Sequence, residues 1–223
     1  MLQAVIFDMD GVLIDSEPLH QAADLDLLQQ LGITPPAGYL AQFTGMANPE
    51  MWRQIASDFR LTLDIPALLH TQELLKIARL QREPWQAIVG VGDLIDALAA
   101  AGVRMGVASS SSPGLIAAVL QRIGLADRLP VTLSGETMAH SKPAPDIFLA
   151  MADRLGVAPV HCVVIEDAHH GVTAAKRAGM ACVAYRNPGS GNQDLSAADL
   201  CIDHFSALDV ARLRGLVKGV CEC

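Results

Sequence analysis

The sequence predicts an α/β fold, a doubly wound parallel sheet with an all-helical subdomain inserted after its first strand. In the regions 1–13 and about 88–223, short apolar runs alternate with segments of helical periodicity. Such alternation is typical of parallel βαβ units. From about residue 15 to 85 the pattern stays helical, without a convincing strand. We therefore predict a core made of residues 1–14 and 87–223, and a helical cap made of residues 15–86.

The opening strand is an uninterrupted apolar run, Ala4–Phe7, which is the pattern of a strand buried on both faces. Asp8 and Asp10 follow it directly, with Gly11 behind them. Ligands of open α/β sheets bind beyond the carboxyl ends of the strands. Two carboxylates this close repel each other unless a cation lies between them or one keeps its proton. Taken alone, the stretch fits a simple turn as well as it fits a functional site, because turns favour Asp and Gly.

The inserted subdomain begins with a helix that Asp15 or Ser16 can cap and that Gly32 ends. Helical periodicity continues over residues 39–82, with a break at Gly45. Because the insertion follows the first strand, we expect it to lie over the carboxyl end of that strand, as a lid does.

The rest of the core alternates between strands and helices. The predicted strands are Arg104–Ala108, Val131–Leu133, His161–Ile165, Ala181–Ala184 and Leu200–Ile202. The predicted helices lie near Asp93–Ala101, between Gly114 and Ile123, at Pro145–Leu155, at Gly171–Ala178 and at Ala207–Val217.

Polar side chains follow three of these later strands. Ser109 and Ser110 come after the second strand, Lys142 lies in the loop after the third, and Glu166 and Asp167 come after the fourth. Each has a simpler explanation, because serines cap helices, lone lysines are usually solvated, and acidic residues favour helix N-termini. Their joint occurrence at one edge of the sheet instead favours a common site.

This set of side chains suits phosphoryl transfer. Several carboxylates together offer the hard oxygen ligands that Mg²⁺ prefers. A carboxylate can attack phosphorus, and a lysine, serine hydroxyls and backbone N–H groups can hold phosphoryl oxygens. A second Asp can give a proton to the leaving alcohol and take one from water. The sequence has no G-x-S-x-G, H-E-x-x-H or G-x-x-x-x-G-K-[ST] motif, so the corresponding hydrolase, metalloprotease and nucleotide sites are not indicated.

The composition argues against several classes of binding partner. The net charge of −8 argues against a nucleic-acid or anionic-membrane binder. No apolar run approaches the roughly 20 residues that span a bilayer. We interpret Cys162, Cys182 and Cys201 as buried thiols of a reducing compartment, and Cys221 with Cys223 as a frayed tail. We expect a cytoplasmic protein, monomeric or weakly homo-oligomeric, that binds a small phosphorylated substrate.

Four segments resemble the motifs of the haloacid dehalogenase-like hydrolase superfamily, in the same order. They are Phe7–Ser16, Val107–Ser110, Lys142–Phe148 and Val164–Gly179. The helical insertion after the first motif is similar to that of the branch containing β-phosphoglucomutase and sugar-phosphate phosphatases. The resemblance covers nearly the whole chain and implies a Rossmann-like core.

The resemblance also implies roles. Asp8 would be the nucleophile and Asp10 the general acid and base, while Ser109, Ser110 and Lys142 would hold the phosphoryl group. The implied Mg²⁺ ligands are Asp8, Asp10 through its backbone carbonyl, Glu166 and Asp167. Because dehalogenases lack the second Asp of the first motif, Asp10 argues against dehalogenation.

The resemblance leaves two activities open, and a binding module that has kept the fold is a third possibility. His20 and Gly45 resemble substrate-binding positions of the mutase. The mutase, however, has an arginine for a second phosphate where this chain has Asn48, and Arg53 lies about a helical turn further on. We therefore expect an Mg²⁺-dependent phosphatase of a sugar phosphate or related metabolite, with a β-phosphoglucomutase-type isomerase as the alternative. We interpret Lys76 as solvated, and contact with the distal group of a bound sugar is the alternative.

Two further interpretations concern the neighbourhood of the fourth motif. We interpret His169 and His170 as surface residues at the start of a helix, because successive helical residues point about 100° apart and both could not face one metal. We interpret residues 189–192 as a flexible surface loop without a functional role.

Overall fold

A computed structural model describes residues 1–43 and 48–217 of the chain. The chain divides into two compact units, one made of Met1–Asp15 and Trp85–Cys223 and the other of Ser16–Pro84. Gly45, Cys221 and Cys223, which figure in the sequence interpretation, lie outside the described residues.

The larger unit contains a six-stranded parallel sheet, so the predicted α/β fold is confirmed. The strands are β1 (Ala4–Phe7), β2 (Arg104–Ser109), β3 (Thr132–Ser134), β4 (Cys162–Glu166), β5 (Ala181–Tyr185) and β6 (Leu200–Ile202). Their spatial order is β3-β2-β1-β4-β5-β6. Phe7 pairs with Val107 of β2 on one side and with Ile165 of β4 on the other. The strand order therefore reverses at β1, where open α/β sheets bind their ligands.

In the described residues the smaller unit contains three α-helices and the larger unit contains five. In chain order they are α1 (Glu17–Gln30), α2 (Asn48–Asp58), α3 (Ile65–Arg82), α4 (Val91–Ala100), α5 (Pro113–Arg122), α6 (Asp146–Leu155), α7 (His169–Arg177) and α8 (Val210–Leu216). None of the helices in the described ranges is long and apolar enough to cross a membrane.

The core of the larger unit forms where α6 and α7 pack on the sheet. Ile6 and Val164 are completely buried there, as is Phe148 of α6. A Cβ at Gly106 of β2 would overlap the sulfur of Met151. The missing side chain at Gly106 therefore lets α6 lie directly on the sheet, which fixes the loop before α6 that carries Lys142.

The smaller unit has an apolar core of its own, centred on the completely buried Trp52 and Ile55 of α2 and Leu28 of α1. Asp64 caps α3, since its carboxylate accepts a hydrogen bond of 3.2 Å from the N–H of Ala67. Ser16 occupies the position before α1 but makes no side-chain capping bond.

Lys76 of α3 is 4% exposed, so the interpretation of this lysine as solvated is wrong. It lies beside the buried carboxylate of Asp24, which also accepts a hydrogen bond from the side chain of Gln72. An ammonium group is tolerated at such a position when an opposite charge accompanies it.

Candidate active site

Asp8 is the first residue after β1 and lies in the middle of the sheet edge. Its backbone N–H continues the ladder by donating to the carbonyl of Ile165 at 2.9 Å. The residue is only 6% exposed. A carboxylate is costly to bury without a partner, so its surroundings must supply positive charge.

Lys142 supplies that charge. Its Nζ lies 2.5 Å from Oδ1 of Asp8 and 2.6 Å from Oε1 of Glu166. It also lies 3.3 Å from the carbonyl oxygen of Ala108 and 5.0 Å from the ring centroid of Phe148. The ammonium group thus joins the ends of β1, β2 and β4 at one point.

The charges of these side chains shift one another's pKa values. Burial raises the pKa of Asp8, and the charge of Lys142 opposes that shift without cancelling it. Burial would lower the pKa of Lys142, but the carboxylates of Asp8 and Glu166 outweigh burial and raise it above its ordinary value. Lys142 therefore keeps its proton and can attract phosphoryl oxygens as a fixed positive charge.

Glu166 is held from both sides. Its Oε2 accepts hydrogen bonds from the N–H groups of Asp167 at 3.0 Å and Ala168 at 3.3 Å, while Oε1 binds Lys142. A Cβ at Gly171 would overlap this carboxylate. The glycine in the first turns of α7 therefore makes the space that Glu166 occupies.

Asp10 lies in the turn after β1, where Gly11 has a φ of 76°. Its Oδ2 accepts hydrogen bonds from the hydroxyls of Ser111 at 2.9 Å and Ser109 at 3.2 Å. The carbonyl of Ser111 is held in turn by the hydroxyl of Ser134 at 2.7 Å. Sequence reasoning missed Ser111 because nothing distinguishes it within a run of four serines.

The serines of that run differ in their surroundings. Ser109 is completely buried and its hydroxyl accepts a hydrogen bond of 3.0 Å from the N–H of Ser111. Ser110 is exposed. The structure thus brings Ser109 to Asp10, while a role for Ser110 toward a substrate stays a prediction.

Asp167 follows Glu166 and is 7% exposed. Burial and the charge of Glu166 raise its pKa to about 7, with a hydrogen bond from Ser190 acting in the opposite direction. The hydroxyl of Ser190 donates to Oδ2 of Asp167. Ser190 therefore contacts one of the predicted site residues, a contact that the interpretation of residues 189–192 as a surface loop did not include.

Three of these carboxylates form a group that fits a metal ion. Asp8, Glu166 and Asp167 each offer one oxygen, and these oxygens lie within 4.8 Å of one another. All three residues are buried. A compact set of carboxylate oxygens is the ligand type that Mg²⁺ selects, so the residues present fit the predicted cofactor.

The remaining predicted positions are further along the chain. His20 is half-buried on α1 of the smaller unit, and its predicted role in substrate binding stays a prediction. His169 and His170 are exposed and begin α7, which confirms their interpretation as surface residues at a helix start.

Comparison with known proteins identifies the family. The model of the haloacid dehalogenase-like hydrolases matches residues 2–179. The chain belongs to this family. It is a hydrolase, and both the family and its expected Rossmann-like core are thereby confirmed.

Two named relatives resemble the chain over almost its full length. It is 30% identical to hexitol phosphatase B of Escherichia coli K12 over 219 residues, covering 95% of this chain and 96% of the relative. It is 31% identical to beta-phosphoglucomutase of Bacillus subtilis over 220 residues, covering 95% and 94% respectively.

Among solved structures, CbbY from Rhodobacter sphaeroides in complex with phosphate superimposes with a TM-score of 0.84 and 27% identity. The match covers 96% of this chain and all of the other. The fold therefore extends to a protein whose crystal structure contains phosphate.

Proposed function

We propose that this hydrolase is an Mg²⁺-dependent phosphatase of a small phosphorylated metabolite, a sugar phosphate or a related compound. The observation that carries the proposal is the position of Lys142 between Asp8 and Glu166, with Nζ 2.5 Å and 2.6 Å from their oxygens. A nucleophilic carboxylate beside a fixed cation is what attack on an anionic phosphoryl group requires.

In the first step, an oxygen of Asp8 attacks phosphorus and the bond between phosphorus and the sugar oxygen breaks. Asp10 donates its proton to the leaving oxygen, so that the sugar leaves as a neutral alcohol. An aspartyl phosphate remains on Asp8. Lys142, whose side chain is 9% exposed, and the completely buried Ser109 hold the transferred oxygens.

In the second step, Asp10 takes a proton from a water molecule as that water attacks phosphorus. The bond from phosphorus to Asp8 breaks, inorganic phosphate leaves, and both carboxylates return to their starting states. The hydroxyl of Ser111 stabilises the ionised form of Asp10 by donating to Oδ2.

Asp8, Glu166 and Asp167 would hold the Mg²⁺ ion, with the backbone carbonyl of Asp10 as a further ligand by family resemblance. A bound Mg²⁺ ion neutralises negative charge on phosphoryl oxygens and on the carboxylates that surround them. Lys142 offsets part of the carboxylate charge, but one ammonium group faces three buried carboxylates. The excess negative charge supports the proposal of a divalent cation.

A mutase must hold two phosphate groups, whereas a phosphatase holds one. The surroundings of the cations in the smaller unit favour the phosphatase. Lys76 is the buried cation of that unit within the described residues, and it lies beside the carboxylate of Asp24. Arg79 binds Asp26 at 2.7 Å, and Arg53 is exposed. We propose that the larger unit is the catalytic core and the smaller unit the cap.

The resemblance to a beta-phosphoglucomutase at 31% identity keeps a phosphosugar isomerase as the second candidate. Incubating the purified protein with a panel of sugar and hexitol phosphates separates the two. A phosphatase releases inorganic phosphate in the presence of Mg²⁺ and loses this activity in EDTA. An isomerase converts glucose 1-phosphate to glucose 6-phosphate when primed with a bisphosphate, without net phosphate release. Absence of both activities, also toward p-nitrophenyl phosphate, contradicts both candidates.

A further inference from the structure

We infer that Ser190 is a positioning residue for Asp167, whose carboxylate its hydroxyl orients for binding of the divalent cation. The inference rests on the proposed function in one respect, the presence of a cation at Asp167. It concerns a residue outside the four motifs, in a loop that follows β5. The contact that motivates it is the hydrogen bond from Oγ of Ser190 to Oδ2 of Asp167.

Neighbouring backbone encloses the contact between Ser190 and Asp167. A Cβ at Gly11 would overlap the carboxylate of Asp167 and would lie 2.9 Å from Oγ of Ser190. The turn after β1, the end of β4 and the loop after β5 therefore meet at this carboxylate. Because Gly11 leaves room for nothing larger than a hydrogen on that side, the hydroxyl and the carboxylate have few alternative arrangements.

Several hydrogen bonds hold the loop that carries Ser190. The Gln193 side chain makes two of them, since its Nε2 donates to the carbonyl of Ser190 at 3.0 Å and its Oε1 accepts from the N–H of His169 at 3.1 Å. The buried Asn187 accepts a hydrogen bond from the N–H of Gly189 at 3.0 Å. The backbone of Ser190 is thus tied to the first residue of α7, two residues after Asp167.

A hydroxyl is well suited to this role. It donates one hydrogen bond and fixes the rotation of the carboxylate, but it brings no charge that would compete with a cation. Lys142 contacts Asp8 and Glu166 as a full positive charge, whereas Ser190 leaves the negative charge of Asp167 available to the metal. Hydrogen bonds of this kind to ligating carboxylates typically change metal affinity by about 10-fold to 100-fold when removed.

The test measures binding of Mg²⁺ alone to the full chain, by isothermal titration calorimetry without substrate. We expect Ser190→Ala to raise the dissociation constant for Mg²⁺ by about 10-fold or more. Ser190→Thr keeps the hydroxyl and should remain within about 2-fold of the parent, on the same argument. Phosphate release should show the same pattern, with the Ser190→Ala deficit shrinking as the Mg²⁺ concentration rises.

Ser196→Ala is the matched control, because the hydroxyl of Ser196 binds the exposed carboxylate of Asp194 in the same region of the chain. It should leave Mg²⁺ affinity unchanged. Unchanged affinity in Ser190→Ala overturns the inference, as does an equal loss in Ser190→Thr and Ser190→Ala or the absence of Mg²⁺ binding by the parent. Phosphate release by the parent is measured separately, so failure of the proposed function is distinguishable from failure of this inference.

Discussion

Nζ of Lys142 lies 2.5 Å from Oδ1 of Asp8, and each side chain is only 9% exposed. The same ammonium group reaches Glu166, whose side chain is 1% exposed, at 2.6 Å. One cation thus accompanies two buried carboxylates. Removing one partner of such a buried pair leaves uncompensated charge, which costs far more than the pair contributes when intact.

Replacing Lys142 by Met should therefore lower the free energy of unfolding by about 3–5 kcal/mol at neutral pH, measured by urea denaturation. Phosphate release should fall below detection. Lys176→Met is the control, because Lys176 pairs with Asp199 at the same 2.5 Å distance but both side chains are about one-third exposed. An exposed pair contributes about 0–1 kcal/mol. Equal losses in the two variants would show that burial of the Lys142 charge has no special cost.

The second prediction concerns Asp8 as nucleophile. Asp8→Asn keeps the shape of the side chain but replaces the attacking carboxylate with an amide, so phosphate release should be lost while circular dichroism shows an unchanged fold. Asp127→Asn, at an exposed position in the same unit, should retain parental activity. Substantial turnover by purified Asp8→Asn would rule out an aspartyl phosphate on this residue.

The strands could be predicted from the sequence because strands buried on both faces are continuous apolar runs. Ala4–Phe7 and the strand that ends at Glu166 stand out for this reason. Helix α7 begins at His169 instead of the predicted Gly171, because residues 169–171 include no apolar side chain that would signal its start. Helix ends depend on local hydrogen bonds rather than on periodicity.

The candidate site was predictable where residue type and strand end coincide, as at Asp8 and Glu166. Ser111 and Ser190 escaped because a serine in a serine-rich or glycine-rich loop has no pattern that reveals its direction. Lys76 was misjudged because its burial depends on Asp24, which is 52 positions away in the sequence. Contacts between distant segments are set by tertiary packing, which local patterns do not encode.

The third prediction concerns the close packing of Gly171 against the carboxylate of Glu166. Gly171→Ala places a methyl group on a carboxylate that is held by Lys142 and by two backbone N–H groups, so the side chain cannot move without losing those bonds. We expect a loss of about 1–3 kcal/mol in the free energy of unfolding and a weaker response of activity to Mg²⁺. Thermal and urea denaturation measure the first effect, and Mg²⁺ titration of phosphate release the second.

Gly215→Ala controls for helix propensity. Gly215 lies in α8 with nothing within 4 Å of an added Cβ. Alanine is favoured over glycine in a helix by about 0.5–1 kcal/mol, so this variant should be slightly more stable than the parent. The two glycine substitutions should thus have opposite signs, and stabilisation by Gly171→Ala would refute the tight fit at Glu166.

The last prediction concerns Asp24 in the smaller unit. Burial raises the pKa of Asp24, and the hydrogen bond from Gln72 partly opposes that shift. A carboxyl group with a raised pKa contributes stability at low pH that is lost as the pH rises through the folded-state pKa. Because Gln72→Leu removes the hydrogen bond, it should raise that pKa further and increase the loss at neutral pH.

We therefore expect Gln72→Leu to lower the free energy of unfolding by about 1–3 kcal/mol at pH 8, approximated by the cost of removing one hydrogen-bond partner of a buried polar group. The difference should shrink as the pH falls below the raised folded-state pKa of Asp24, because the carboxyl group is then protonated in the folded state of both proteins. Gln54→Leu is the matched control for Gln72→Leu, since Gln54 donates a hydrogen bond of 2.8 Å to the exposed carboxylate of Asp58. Its effect should be far smaller and constant between pH 5 and pH 8, roughly the range above ordinary carboxyl pKa values. A Gln72→Leu effect that does not change with pH would show that lost packing, and not the charge of Asp24, accounts for the destabilisation.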